Sequence, residues 1–317
     1  MPPIVTVTMN PTIDLSTSAD RVVSTEKIRC AQPRMDPGGG GINVARTVLA
    51  LGETVLAVLP AGGPTGDVLQ GLLEDAGLPR RVVPIGGSTR ESFAITENSS
   101  GRQFRFVLPG PTLTVPEWND CLDAAVHAAR SAHYVVASGS LPPGVPADFY
   151  RTLAERVARL GCRFVLDTSG EALRRVHHGV FLMKPSAREL AEYAGRPLPD
   201  RDSQVTAARE LIAAGVSEFV VVSLGANGAL AVGPDSWEAL PATAVPIASA
   251  VGAGDAMVAG MTVGFARGLS RSEAMQLGIA AASATLVTAG TNPGHPDVIT
   301  RLFGSPTATS VPAVRDA

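Results

Sequence analysis

The chain has 317 residues, of which 45% are apolar and 17% charged, and its formal net charge is −3. That length is enough to bury a sizeable core, in one large α/β domain or two smaller ones. So small a net charge offers no electrostatic footprint for nucleic acid or an anionic membrane, and neither is expected as a partner.

The chain opens on "MPPIVTVTMNP", a short β-rich run without a basic segment, which does not read as a signal peptide. No apolar run approaches the roughly 18 residues of a membrane span. Three cysteines, Cys30, Cys121 and Cys162, lack C-x-x-C spacing and read as free thiols of a reducing compartment, so a cytoplasmic location is expected. Of 26 basic residues only Lys27 and Lys184 are lysine. Neither stands in the Gly-Lys-Ser/Thr context of a Walker A loop, so any phosphate chemistry here is not of the P-loop kind.

Residues 14–36 read as strands without an intervening helix, and they lead into "PGGGGINVAR" at 37–46. Glycine loses more backbone freedom on folding than any other residue, so the run from Gly38 to Gly41 asks for something packed against the backbone. A dinucleotide fingerprint would need glycine at 43 or 44, where Asn43 and Val44 stand. Asn43, one turn inside the expected helix, and Asp14 are short polar groups suited to gripping hydroxyls. Asp14 is equally readable as a turn residue after Pro11.

Residues 88–108 form the second strand pair. "NSSG" at 98–101 is a turn signal, and a hairpin centred there pairs Ile95 with Phe104 and Phe93 with Phe106. The period of two puts these four apolar residues on one face, and Arg90 and Arg105 together on the other. The plain alternative is an edge hairpin with solvated arginines. The apolar back, which the rest of the domain or another subunit must cover, favours a lid whose arginines meet an anion.

From about residue 110 strands and helices alternate. "HYVVAS" (133–138), "RFVLDTS" (163–169), "VFLMKPS" (180–186) and "EFVVVSLG" (218–225) are short β-branched runs, with helical stretches at 146–161 and 203–215. The alternation implies βαβ units around a mostly parallel sheet, with functional loops at the strand C-termini. Two helices follow, at 253–268 and 270–289, and the tail at 304–317 reads as disordered. The first of these helices opens on Gly252-Ala253-Gly254-Asp255. Small residues at a helix start let an anion reach unpaired N–H groups, and an acid beside such a hole suits proton removal from a hydroxyl. A lone N-terminal Asp would be no more than a favourable partner of the helix dipole. The five histidines make no metal-ligand pattern, and His177–His178 reads as an exposed helix end.

Taken together, "PGGGGINVARTVLALG" and "VGAGDAMVAG" resemble the two signatures of the ribokinase-like (PfkB) family of carbohydrate kinases. "PAGGPTGD", "SGSLPPGV", "LDTSGEAL" and "VVSLGANGAL" agree further, and the likeness covers the chain to about residue 303. Within the family it is most similar to the minor, non-P-loop type of 6-phosphofructokinase, and also to the 1-phosphofructokinase and tagatose-6-phosphate kinase branch. The resemblance implies an α/β/α sandwich over residues 1–303, with a mostly parallel central sheet and a small β-sheet lid near 14–36 and 88–108. It implies Asp255 as base and Gly252, Ala253 and Gly254 as anion hole. Asp14, Gly38, Gly39, Asn43 and Ser138 would receive the sugar, which would lie against the glycine backbone. Arg90, Arg105 and Lys27, the last from a neighbouring subunit of a homodimer joined through the lid, would hold the sugar's phosphate. Lys184, Ser186, Ser223, Gly225, Gly228 and Ser283 would lie on the ATP side. Glu189 would place Mg²⁺ through water, and Ser249, Val251, Thr288 and Gly290 would surround a K⁺ ion. The family's Asn-x-x-Glu is here Ser186-Ala187-Arg188-Glu189, which implies altered Mg²⁺ or ATP affinity. Other sugar or nucleoside kinases, and a catalytically weak binding protein on the same scaffold, are the competing readings.

Overall fold

The computed structural model describes residues 3–304, so the tail expected at 304–317 lies, from residue 305 on, outside the described residues. In chain order the first half contains β1 (Ile4–Val7), β2 (Thr12–Ala19), β3 (Arg34–Gly38), α1 (Gly40–Ala50), β4 (Val55–Ala61), α2 (Gly63–Asp75), β5 (Arg80–Pro84), β6 (Arg90–Glu97), β7 (Gln103–Val107) and α3 (Val115–Ala129). Next come β8 (Tyr134–Ser138), α4 (Phe149–Ala158), β9 (Arg163–Asp167), α5 (Gly170–Arg174), β10 (Val180–Met183), α6 (Ala187–Ala194), α7 (Arg201–Ala213) and β11 (Ser217–Ser223). The chain closes with β12 (Ala229–Val232), β13 (Trp237–Leu240), α8 (Ala253–Ala266), α9 (Arg271–Leu286) and α10 (Pro296–Phe303).

Nine strands form one sheet in the order β13-β12-β11-β10-β9-β8-β1-β4-β5. Those from β11 to β5 are parallel, and β12 and β13 extend the edge antiparallel. Strand β1, "IVTV", is buried along its whole length, as a strand covered on both faces must be. Alternate residues feed two apolar layers. Val5 and Val7 pack with α3, α4, α6 and α7, whereas Ile4 packs with α1, α2, α8, α9 and α10. The result is the three-layer α/β/α sandwich that the family resemblance implies, with the mostly parallel sheet that the alternation implies.

The other four strands make a second sheet in the order β3-β2-β6-β7. Its hairpin register pairs Phe93 with Phe106 and Ile95 with Phe104, as the period of two requires. Met35, Leu15, Phe93 and Phe106 lie in one row across all four strands. Phe106 remains 50% exposed and Met35 49%.

The glycine run has an internal explanation. Helix α1 enters directly beneath the ends of β1 and β8, at the point where the large sheet's order reverses direction. A methyl group on Gly40 would stand 2.2 Å from Ser138 Oγ, and one on Gly41 would stand 2.5 Å from the Val7 carbonyl oxygen. One on Gly38 would lie 2.1 Å from Asp14 Oδ2, and Gly39 takes φ +110, a region that favours glycine. The protein's own strands press on this backbone from one side. Gly41→Ala, buried and away from any cleft, is therefore expected to cost about 3 kcal/mol by overpacking against strand backbone. A lowered urea midpoint with unchanged slope would register it.

Candidate active site

Ligands of open parallel sheets bind beyond the strand C-termini, at the point where strand order reverses. Here that point lies between β1 and β8, and a cleft of ≈ 300 Å³ opens there between the large sheet and the small one. Asp14, Gly39, Asn43, Arg90, Arg105, Gly252 and Asp255 all line it. Residues far apart in sequence thus converge because β2, β6 and β7 project over the first turns of α1 and α8.

Asp255 sits in the first turn of α8. Gly252 precedes the helix in the left-handed region at φ 81, and no side chain caps the exposed donors. The first helical bond runs from the Ala256 N–H to the Gly252 oxygen at 2.8 Å. The Gly252, Ala253 and Gly254 N–H groups are thereby left as the helix's open positive end. Helix α8 is buried from Ala256 to Gly264 and meets α9 glycine to glycine at Gly260 and Gly278, which fixes this end in place. The Asp255 carboxylate accepts hydrogen bonds from Asn43 Nδ2 at 3.0 Å and Ser138 Oγ at 2.9 Å. Burial, with Asp167 adding to it, pushes its pKa up to about 6, while Asn43, Ser138 and Lys184 pull the other way. Asn43 and Ser138, expected on sugar hydroxyls, hold this carboxylate. Asn43 Oδ1 remains buried with no hydrogen-bond partner among the described residues.

The far end of the cleft belongs to the small sheet. Arg90 donates from Nη1 to the Leu108 oxygen and from Nη2 to the Asn10 oxygen, each at 3.0 Å. Its Nε is buried and has no partner among the described residues. Arg105, paired with Ala94 across the hairpin, lines the same cleft. Asp14 lines the same cleft, and burial raises its pKa to about 6 against the lowering pull of Arg90 and Arg105. Gly38 leaves the space that its carboxylate occupies.

Beyond Asp255, at the ends of β9 and β10, Lys184 Nζ stands 3.1 Å from Asp167 Oδ1. Burial disfavours the ammonium, but Asp167, Asp255 and Glu189 outweigh it and hold its pKa above the ordinary lysine value. A methyl group on Gly254 would lie 3.7 Å from Nζ, so the ammonium faces the start of α8. Sequence reasoning passed over Asp167, although an acid closing a parallel strand in "LDTS" was a usable signal.

The remaining expected residues are placed less simply. Ser186 caps α6 in a reciprocal box: the Ser186 N–H donates to Glu189 Oε2 at 2.8 Å, and Ser186 Oγ accepts from the Glu189 N–H at 3.3 Å. Ser186 also bridges to Ser223, which lies just before the turn holding Gly225 and Gly228. Ser283 is 3% exposed inside α9. Lys27 is exposed in the loop between β2 and β3 and does not line the cleft of its own chain. Ser249 Oγ accepts from the Val251 N–H, and Thr288 Oγ1 lies 2.8 Å from both the Thr285 and Asn292 oxygens. Those two hydroxyls are used internally, so the loops that also carry Gly290 have carbonyl oxygens to offer a cation. His177 and His178 lie exposed in the loop just past α5. Among the described residues no three His, Cys, Asp or Glu side chains form a metal cage, and no helix is long and apolar enough to cross a membrane.

The model of the pfkB family carbohydrate kinases matches residues 7–298. An ATP-dependent 6-phosphofructokinase isozyme 2 from Mycobacterium tuberculosis is 52% identical over 305 residues, covering 95% of this chain and 89% of the relative. The protein of the same description from Escherichia coli is 38% identical, over 91% of this chain and 94% of its own. Phosphofructokinase-2 from Escherichia coli, solved in complex with potassium, superposes with TM-score 0.91 at 36% identity, over 96% of this chain and 98% of that one. Solved in complex with fructose-6-phosphate, it gives TM-score 0.89 at 35% identity, with the same coverage.

Proposed function

The chain belongs to the pfkB family of carbohydrate kinases, and from that premise we propose that it transfers the γ-phosphoryl group of ATP to fructose 6-phosphate, giving fructose 1,6-bisphosphate. The observation that carries the acceptor is a pair of unsatisfied buried atoms in one cleft. Asn43 Oδ1 is an acceptor beside the base, and Arg90 Nε is a donor at the opposite end. A buried polar group without a partner is costly, and a sugar phosphate satisfies both, a hydroxyl at one end and its phosphate at the other. The names of the relatives support the same substrate.

In this reading Asp255 takes the acceptor hydroxyl's proton as the new O–P bond forms and the P–O bond to ADP breaks. Its pKa near 6 leaves it ionised at neutral pH yet basic enough to serve. Asn43 and Ser138 hold the carboxylate in one orientation. The Gly252, Ala253 and Gly254 N–H groups face the charge on the transferring group, so most of the catalysis is positioning and neutralisation. Three carboxylates, Asp167, Asp255 and Glu189, surround the single Lys184 ammonium, an excess of negative charge that suits a divalent cation. Asp167 and Glu189 would hold Mg²⁺, Glu189 through water because one of its oxygens is committed to the Ser186 N–H. When bound, the ion neutralises phosphate charge. Lys184, Ser186, Ser223, Gly225 and Gly228 line the nucleotide side, with the buried Ser283 behind it. K⁺ would take carbonyl oxygens of Ser249, Val251, Thr288 and Gly290, a reading supported by the relative solved with potassium. The small sheet serves as the lid of a single kinase domain. Its apolar row of Met35, Leu15, Phe93 and Phe106, exposed at Met35 and Phe106, packs on a second copy, and Lys27 is left to serve the partner's cleft.

The deciding experiment is initial ADP release with Mg-ATP against fructose 6-phosphate, fructose 1-phosphate, tagatose 6-phosphate, ribose and adenosine. Preference for fructose 6-phosphate is expected. Turnover with unphosphorylated acceptors alone would remove the argument from Arg90, and nucleotide binding without turnover would make the chain a binding protein on a kinase scaffold.

A further inference from the structure

Arg46 is a buried arginine that the chemistry above does not use. It lies in α1, three residues past Asn43, and is 8% exposed. Its guanidinium donates to four acceptors: the Pro37 oxygen at 3.2 Å, the Thr291 oxygen at 2.8 Å, Thr291 Oγ1 at 3.2 Å and Asn292 Oδ1 at 2.9 Å. Among the described residues no carboxylate is bonded to it. Asp36 and Asp14 offset its charge from further away, with Arg34 opposing.

These acceptors belong to two segments that meet nowhere in sequence. Pro37 is the penultimate residue of β3, followed by Gly38, which leaves room for Asp14. Thr291 and Asn292 belong to the loop at 287–294, and Thr291 itself lines the cleft. A second tie runs alongside. Arg34 grips Asp36 through both Nε and Nη2, and Asp36 Oδ2 accepts from the Thr291 N–H at 3.4 Å. A methyl group on Gly290 would stand 2.2 Å from that same oxygen, so the loop fits closely against β3. The loop's other end leads to the catalytic helix. The Ala248 and Ser249 N–H groups donate to the Leu286 oxygen at 2.8 and 3.2 Å, and residue 249 runs straight on into Gly252.

We propose that Arg46 is a positioning residue that joins the acceptor-binding end of the small sheet to the loop behind the catalytic helix, and so sets the span between the sugar-phosphate contacts and Asp255. The proposal rests on the kinase reading above. Helix α1 carries both halves of the device, since Asn43 holds the base and Arg46, less than one turn on, holds the frame. A planar fork can reach acceptors on both segments at once. A lysine ammonium is a single point at the end of a flexible stem and cannot reproduce it.

The test compares Arg46→Lys with wild type by steady-state kinetics, thermal unfolding and amide hydrogen exchange. The variant is expected to raise KM for the preferred acceptor of the panel at least about tenfold, leaving KM for ATP within about twofold, because uniform acceptor binding is what a mis-set span loses. Amides at 287–292 are expected to exchange faster in the unliganded protein, a readout independent of what the enzyme phosphorylates. Asn292→Ala, which removes one acceptor and no charge, should show both changes in milder form and stands in if Arg46→Lys does not fold. A lowered melting temperature with unchanged kinetic constants would make Arg46 a purely structural residue and overturn the proposal. Wild-type exchange at 287–292 would overturn it equally. Failure of wild type to use fructose 6-phosphate would strike the functional reading alone, since the exchange result is read without substrate.

Discussion

Asp255→Asn is expected to lower kcat by about 10³-fold while leaving both KM values within a few fold. The amide keeps the size of the carboxylate and can still accept from Asn43 or Ser138, but it cannot take a proton. The same substitution is expected to raise the melting temperature at pH 7.5 by a few degrees. The folded carboxyl titrates at about 6 because burial penalises its charge, against 3.8 for the free side chain. Folded protein therefore holds this proton more tightly than unfolded protein does. The stability this contributes is complete below about pH 4 and is lost as the pH rises through about 6, a difference of about 3 kcal/mol. Neutral asparagine escapes that penalty. In wild type the same titration gives kcat/KM an acid limb near pH 6, below which activity falls with the fraction of ionised base. Near wild-type turnover by Asp255→Asn would remove Asp255 from the role of base, and a lowered melting temperature would refute the electrostatic account.

Arg90→Met should act on the other substrate. Losing a half-buried, hydrogen-bonded cation opposite a phosphate costs about 3 kcal/mol, so KM for fructose 6-phosphate is expected to rise about 10²-fold with KM for ATP little changed. Arg90→Lys should not restore it, because the native guanidinium is already oriented by the Leu108 and Asn10 carbonyls with Nε left for the ligand. A second consequence is separable from affinity. Arg90 is the foremost of the charges that keep Asp14 from titrating higher still. Its removal should move the acid limb of kcat/KM upward while leaving the limb of kcat at saturating sugar phosphate where Asp255 puts it. An unchanged KM for fructose 6-phosphate in Arg90→Met would assign the phosphate to other groups. Arg105, more exposed, is expected to contribute about a tenth as much in fold-change.

The parts of the site legible in the sequence were those written in local pattern. A glycine pair and an acid at a helix start suit an anion hole, and the second signature at 37–46 is what gives that reading weight here. The Asn-Ser-Ser-Gly turn fixes the register of its own hairpin, so the pairing of Phe93 with Phe106 followed from the period of two. What the sequence hid depends on distant partners. Nothing near Gly41 says that the Val7 carbonyl will press on it, so the internal half of the glycine run's packing is invisible in the sequence, beside the cleft that Gly39 and Gly40 line. Asn43 and Ser138 lie on different helices and strands, and only the fold turns both toward one carboxylate. Ser186 stands where the family's metal motif has Asn, yet Ser-x-x-Glu is equally the signature of a helix cap, which is what both residues form. Lys27 sits in a loop with no periodicity to place it.

The division between the two sheets carries a consequence for how such an enzyme diversifies. Asp14, Arg90 and Arg105 belong to β2, β6 and β7, whereas Asp255 and Lys184 are fixed by α8 and by the ends of the large sheet's strands. Strands β2, β6 and β7 supply the small sheet's side of the cleft, so a substitution there changes the contacts offered to the acceptor without altering the packing of α8. A changed acceptor is therefore expected to require substitutions in those strands alone, with the packing of the large sheet and its helices kept. Such a change leaves Asp255, Lys184 and the packed glycine contacts of α1 and α8 where they are.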